Sequence, residues 1–423
     1  MMTAVARLDG PSCGCDAEQG LASIDQALDR LRALPRRSDH IDEVGLSAGS
    51  GRVLARPVTA RANVPPFASS AMDGYALRSR DLTGEGPWDL PVTDRIAAGD
   101  TDTAPLATGT AARIFTGGAL PAGADAVIMQ EAVVSRPGHI TFCTLPRPGQ
   151  HLRQIGDDMG AGDAILPAGR RLGARDIAAA AAAGRATLSV QPVLRVALLM
   201  TGTEIIAQDA DLLPGQIWDV NGPMMVSLLQ RPDCRIIATA RAADDPDALY
   251  SQMQDLAARA DLLITSGGIS VGDTDLVKPT LLALGGTIDL SGVAIKPGKP
   301  ISFGRLGGAT WLGLPGNPVS AYVTWQVFGT AMLDHLSGCI APPARRHVVL
   351  SEALTHHPGR CELRPATFAG HDASGRELVC FDGRTHSARV GTLCRADGVI
   401  LVPAEADMLQ AGDLIEFLPF ETD

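Results

Sequence analysis

The run Leu194-Arg-Val-Ala-Leu-Leu-Met-Thr-Gly-Thr-Glu204 decides the fold. Residues 194–200 are almost continuously apolar, without the alternation of a half-exposed strand, so they read as a parallel strand buried on both faces. Thr-Gly-Thr then turns the chain out of the sheet. The same texture repeats downstream. A helix is predicted over 221–229 and a strand over 236–240. Asp245-Pro246 caps a helix through 258, with proline in its first turn. A strand over 261–265, a helix over 276–284, a strand over 311–314 and a helix over 319–336 follow. Strands alternating with helices predict βαβ units and a doubly wound α/β sheet.

Outward from this core the texture changes. Ser23 opens a capping box with Gln26, and Ile24, Leu28, Leu31 and Leu34 recur at helical spacing up to Pro35. From about 50 to 170, glycine and proline are dense and apolar stretches short, as at 126–129 and 165–166, which predicts a β-rich region. An alanine-rich helix over 176–183 stops at Gly184. Beyond Pro342-Pro343 short strands return, predicting a small β-domain at the C-terminus. Residues 1–20 read as a disordered tail.

Composition narrows the function. The chain has 423 residues, enough for about three domains at roughly 150 residues each. Its net charge of −11 argues against a nucleic-acid protein. Of 36 Lys and Arg, only Lys278, Lys296 and Lys299 are lysines, and Asn63, Asn221 and Asn317 are the only asparagines. A chain that uses arginine nearly everywhere is expected to keep lysine where a compact point charge is required. The eight cysteines form no CxxC pair and read as free thiols, Cys13 and Cys15 included. No apolar run approaches the roughly 18 residues of a membrane helix, and the N-terminus lacks a signal-peptide core, so the expectation is a cytoplasmic protein without membrane contact.

Three loops follow predicted sheet strands: Thr201-Gly-Thr-Glu204, Ser266-Gly267-Gly268-Ile-Ser-Val-Gly272 and Leu314-Pro-Gly-Asn317-Pro318. Ligands of doubly wound sheets bind outside the carboxyl ends of the strands, where glycines let backbone N–H groups approach a phosphate. Neither a GxGxxG after the first strand nor a GxxxxGK[ST] is present, so a dinucleotide fold and a P-loop are unsupported. Lys296-Pro-Gly-Lys299-Pro sets two ammonium groups on a proline-stiffened loop, suited to an oxyanion or pyrophosphate, and Lys278 could add a third charge. Glu204, Asp219, Asp273 and Asp275 are carboxylates of the kind that hold Mg²⁺ together with substrate phosphates. Asn221, at a helix start, reads as a cap. Asn317 has no such simple role.

In order along the chain, SSAMDGYA, IFTGGALPAGADAVIMQE, IGDDMGAGD, TGTEI, TSGGISVGDTD, IKPGKPISFG, GLPGNPVSA and RADGVILVP resemble the molybdopterin molybdenumtransferase family. The resemblance runs from about Ser23 to Phe420. It implies an elongated homodimer whose α/β domain is shared with molybdopterin adenylyltransferases and whose C-terminal domain is small and barrel-like. The division it implies is an elongated connecting unit of 21–59 and 159–189, a β-rich domain of 60–158, a molybdopterin-binding α/β domain of 190–340 and a β-domain of 341–423.

The implied reaction takes adenylylated molybdopterin and molybdate, depends on Mg²⁺, inserts molybdenum and releases AMP. By motif position, Asp73, Asp158, Glu204 and Asp275 would be catalytic, with Thr116 a substrate contact. Lys296, Lys299, Ser320 and Ser387 would approach molybdate, Glu204, Asp273 and Asp275 would meet the metal, and the C-terminal arginine would be Arg360 or Arg364. A molybdopterin adenylyltransferase and recipient molybdoenzymes would be partners. The rival readings are adenylyltransferase activity and a non-catalytic molybdopterin-binding scaffold.

Overall fold

In the computed structural model, residues 20–36, 40–269, 275–340, 345–383 and 387–420 are described. Asp273 and the expected N-terminal tail lie outside them, apart from Gly20.

The central sheet has six strands: β1 (Leu194–Thr201), β2 (Cys234–Ala242), β3 (Leu262–Ser266), β4 (Thr287–Ser291), β5 (Ser302–Leu306) and β6 (Ala309–Leu314). Their order is β2-β1-β3-β6-β5-β4. The first four are mutually parallel, and β5 and β4 add an antiparallel edge. β1 and β3 are buried almost throughout, as their unbroken apolar runs require. The helices Asn221–Leu228, Pro246–Arg259 and Val277–Ala283 connect the strands.

β4 and β5 were not expected. Gly304 interrupts β5 in sequence, yet a Cβ there would lie 1.9 Å from the Thr287 carbonyl, so glycine is what lets β4 and β5 pair. The long predicted helix over 319–336 is Pro318–Thr324 and Thr330–Leu336 joined by a π-helical turn, Trp325–Gly329.

The C-terminal domain closes on itself. Cys361–His371, Glu377–Cys380, Arg346–Leu350, Leu414–Pro419 and Gly398–Val402 pair in that order, and the last returns to the first, giving a five-stranded barrel. It is tied to the sheet domain by backbone pairing: Ile295–Lys296 lies parallel to Cys361–Glu362, and the Cys361 amide donates to the Ala294 carbonyl at 3.0 Å.

The N-terminal β-rich region is a second six-stranded sheet, spanning Gly74–Leu77 to His139–Phe142. A connecting unit of Asp42–Gly45, Val58–Thr59, Ala164–Leu166, Ala174–Ala182 and Thr187–Val190 leads from it to the sheet domain. The helix Ile24–Arg32, expected in that unit, instead buries Ile24, Ala27, Leu28 and Leu31 in the core of the sheet domain. Amphipathic spacing specified the buried face but not which core would receive it.

Arg171 joins the connecting unit to the sheet domain. It donates to Asp233 at 2.6 Å, to Asp334 at 2.8 Å and to the Gly51 carbonyl at 3.0 Å, and Asp233 is 3 % exposed. Arg231 also meets Asp233, at 3.1 Å. Truncating one member of a buried pair leaves the other charge poorly compensated. Arg171→Ala is therefore expected to destabilise the protein by about 3 kcal/mol, read as a fall in the urea midpoint, whereas Arg259→Ala, on an exposed pair, should leave it nearly unchanged.

Candidate functional site

A cavity of about 680 Å³ opens at the carboxyl ends of β1, β3 and β6. All three expected loops reach it, through Thr201, Gly202 and Glu204, through Gly267 and Gly268, and through Pro315, Gly316 and Asn317. Asp275 and Asp244 add carboxylates, Pro300 brings in the end of the lysine loop, and Ala388 and Val390 come from the barrel domain. A second wall is apolar: Ile205, Leu212, Ile217, Trp218 and Val220.

The glycines are required by close approach. Gly267 has φ +93° and a Cβ there would lie 2.6 Å from the Thr201 carbonyl oxygen. Gly268 has φ +62° and would meet Val277 at 2.9 Å. Backbone can thus face the cavity where side chains would fill it.

Asn221, expected to cap its helix, does something else. The N-cap is Val220, and Asp219 one residue earlier takes up the first-turn amide: its Oδ1 accepts from Gly222 at 2.8 Å while Oδ2 accepts from Arg241 at 3.2 Å. The Asn221 side chain is buried and its Nδ2 donates to the Gly316 carbonyl at 2.7 Å and to Ser266 Oγ at 2.8 Å. Gly316 offers only a carbonyl to this bond, so the orientation of the amide is fixed. Among the described residues, the buried Asn221 Oδ1 has no hydrogen-bond partner. Ser266 itself donates to the Pro315 carbonyl at 3.2 Å. Its hydroxyl is thus engaged below the cavity, which it does not line, leaving Gly267 and Gly268 to meet a ligand.

The other expected residues divide by location. Lys296 and Lys299 are exposed, Lys296 on the short strand held to the barrel. Ser320 is buried in the helix after Asn317, and the Ser387 carbonyl accepts from the Val319 amide at 3.2 Å, which draws the Ser387 loop to that helix start. Lys278 is half-buried, donates to Ser291 at 3.2 Å, and does not line the cavity. Burial lowers its pKa, against the charge of Asp275, which raises it. Arg364 is buried against Glu362, with Nη2 at 3.1 Å from both carboxylate oxygens, and borders a separate hollow on the barrel of about 640 Å³. Arg360 is half-buried.

Asp73, Thr116 and Asp158 do not line the cavity. Their loops converge within the β-rich region instead. Asp73 Oδ1 accepts from the Thr116 amide and hydroxyl, both at 2.8 Å. Ser69–Ser70 pairs with Leu152–Arg153, the Gly117 amide donates to Ser70, and the Asp158 amide donates to Val64. Among the described residues, no cluster of three His, Cys, Asp or Glu side chains forms a ready-made metal cage. Glu204 and Asp275 on one cavity fit an ion that keeps water and phosphate ligands.

Family models match along nearly the whole chain: "MoeA N-terminal region (domain I and II)" at 22–184, "Probable molybdopterin binding domain" at 197–335, and "MoeA C-terminal region (domain IV)" at 347–420. The chain belongs to the molybdopterin molybdenumtransferase family. Relatives bearing that name include one from Haemophilus influenzae, 36 % identical over 95 % of this chain and 99 % of its own length. A Mycobacterium tuberculosis relative, molybdopterin molybdenumtransferase 2, is 35 % identical over 88 % of this chain and 93 % of its own. Among solved structures, a molybdopterin biosynthesis moea protein from Pyrococcus horikosii is 28 % identical with a TM-score of 0.78, covering 95 % of this chain and all of its own. Membership makes the chain a transferase of molybdenum cofactor biosynthesis. The adenylyltransferase and scaffold alternatives are not favoured.

Two predictions follow from this geometry. Gly267→Ala combines a left-handed backbone with a contact to main chain, so thermal unfolding should fall by several degrees and ligand affinity at the cavity at least tenfold, measured by calorimetry. Separately, the Thr116 amide and hydroxyl hold the Asp73 carboxyl below the usual carboxylate range, the amide first. A lowered pKa means the interaction is present above the unfolded value and lost as pH falls through the folded one. Thr116→Val keeps the amide and removes the hydroxyl, so the Asp73 pKa should rise partway toward the ordinary value in an NMR titration.

Proposed function

We propose that the protein transfers molybdenum from molybdate into adenylylated molybdopterin and releases AMP. The observation that carries this reading is the meeting of three glycine and asparagine loops, the carboxylates of Glu204, Asp244 and Asp275 and the end of the lysine loop at the carboxyl ends of adjacent strands. The Gly268 amide would face the phosphates, whose negative charge it suits, the Gly267 amide being donated to the Leu314 carbonyl at 3.1 Å. Lys296 and Lys299 would neutralise molybdate as it approaches, lowering the cost of bringing anions together. Ser320, Ser387 and one of Arg360 and Arg364 would supply further donors to the oxyanion, and Asn317 would meet the substrate at the helix start. Glu204 and Asp275, with Asp273, would hold Mg²⁺. When bound, that ion would supply charge neutralisation to the substrate phosphates.

Asp73, Thr116 and Asp158 sit on a different domain from the cavity. A catalytic role for Asp73 and Asp158 and a substrate contact by Thr116 fit the homodimer that the family resemblance implies, in which the β-rich region of one subunit would face the cavity of the other. The working compartment would be the cytoplasm, and among the described residues no helix is long and apolar enough to cross a membrane. A molybdopterin adenylyltransferase would deliver the substrate and molybdoenzymes would receive the product.

The test is AMP release from adenylylated molybdopterin, with molybdate and with tungstate, before and after chelation. Lys296→Ala should cut molybdate-dependent release by at least a hundredfold while leaving adenylylated molybdopterin bound. Release at the wild-type rate would remove the lysine from the reaction, and ATP consumption in place of AMP release would favour an adenylyltransferase.

A further inference from the structure

The apolar wall of the cavity has a feature that the phosphate and oxyanion contacts leave unexplained. Trp218 lines the cavity and is 49 % exposed. By contrast Trp311 and Trp325 are fully buried in the sheet domain, and Trp88 packs on Phe142 with ring centroids 5.8 Å apart.

Although exposed, the Trp218 ring is not loosely held. Its Nε1 donates to the Ala210 carbonyl at 3.1 Å, using the only polar atom of the indole. Its strand, Ile217–Trp218, pairs in parallel with Ile205–Ile206, fixed by the Ile217 amide on Glu204 at 2.9 Å and the Asp219 amide on Ile206 at 2.9 Å. The next residue, Asp219, is buried and bound to Arg241. An indole anchored along one edge and open to a cavity offers a rigid π surface at little entropic cost. Leu212, Ile217 and Val220 beside it are exposed as well, so this wall is apolar and open to a ligand, unlike the polar loops that also line the cavity.

We propose that Trp218 is the stacking platform for a flat heteroaromatic ring of the substrate, holding it while the glycine turn holds the phosphates. This rests on the function proposed above, whose substrate carries two such rings, a pterin and an adenine; stacking chemistry is common to both. Trp218 is a binding residue in this account and takes no part in bond making.

The experiment measures binding to the full-length protein by calorimetry, with AMP, 6-hydroxymethylpterin and inorganic pyrophosphate as separate probes. Loss of base stacking on an aromatic side chain by alanine substitution typically costs from about fivefold to about a hundredfold in affinity. Trp218→Ala should therefore weaken AMP, the pterin or both by about fivefold or more and leave pyrophosphate within about twofold, while Trp218→Phe restores most of the loss. The probe that weakens identifies the ring. Intrinsic fluorescence should also be quenched by that probe in the wild type and not in Trp218→Phe. Unchanged affinity for both rings in Trp218→Ala, with AMP release intact in the wild type, would overturn the platform and leave the proposed function standing. An equal loss for pyrophosphate would make Trp218 a prop for its loop instead, overturning the platform. A wild type that binds neither ring would overturn both readings.

Discussion

One buried amide holds the site together. Asn221 Nδ2 reaches Ser266 at the end of β3 and Gly316 after β6, from a helix that itself follows β1. Sheet order makes this possible, because β1, β3 and β6 are adjacent and parallel, so their carboxyl ends emerge side by side. The loops leaving them are rich in glycine and would have many conformations of similar energy without a cross-link. A buried amide donating to two fixed acceptors removes that freedom, and losing it would leave two acceptors unsatisfied in a dry environment. Gly267 and Asn317 each adjoin a residue held at this junction, Ser266 and Gly316.

The second constraint is between domains. The strand that carries Lys296 has only two residues, too few to be stable alone, and gains its order from the barrel strand beside it. The barrel also sends Ala388 and Val390 to the cavity, and its Ser387 carbonyl meets the helix start that holds Asn317. Glu204 and Asp275 line the cavity, whereas the lysine loop reaches it through Pro300 and neither Lys296 nor Lys299 lines it.

Much of the site was legible in the sequence, and the residues that were not share a cause. The scarcity of lysine drew attention to Lys296 and Lys299, and the glycine loops were recognisable because each followed a continuous apolar run. Asn221 was misread as a cap because its position at a helix start has a common local explanation, whereas its partners lie 45 and 95 residues away. The pairing of Arg364 with Glu362, two residues earlier on the same strand face, was not read from the sequence either. β5 was missed because Gly304 breaks its pattern, for a reason found only in the neighbouring strand. Trp218 carried no periodic signal at all; its exposure on a cavity wall is a property of packing.

By itself the sequence determined the local alphabet of the protein: the buried parallel strands, the capping box at Ser23, the turns that demand glycine, the scarce lysines and the order of motifs that marks the family. These follow from backbone sterics, side-chain periodicity and charge, which act between near neighbours. The tertiary structure decided which core receives the helix Ile24–Arg32, which strand orders the Lys296 loop, and which polar groups are used within the protein rather than offered to a ligand. Those outcomes depend on groups far apart in the chain becoming adjacent when water is excluded, and no local pattern encodes that adjacency.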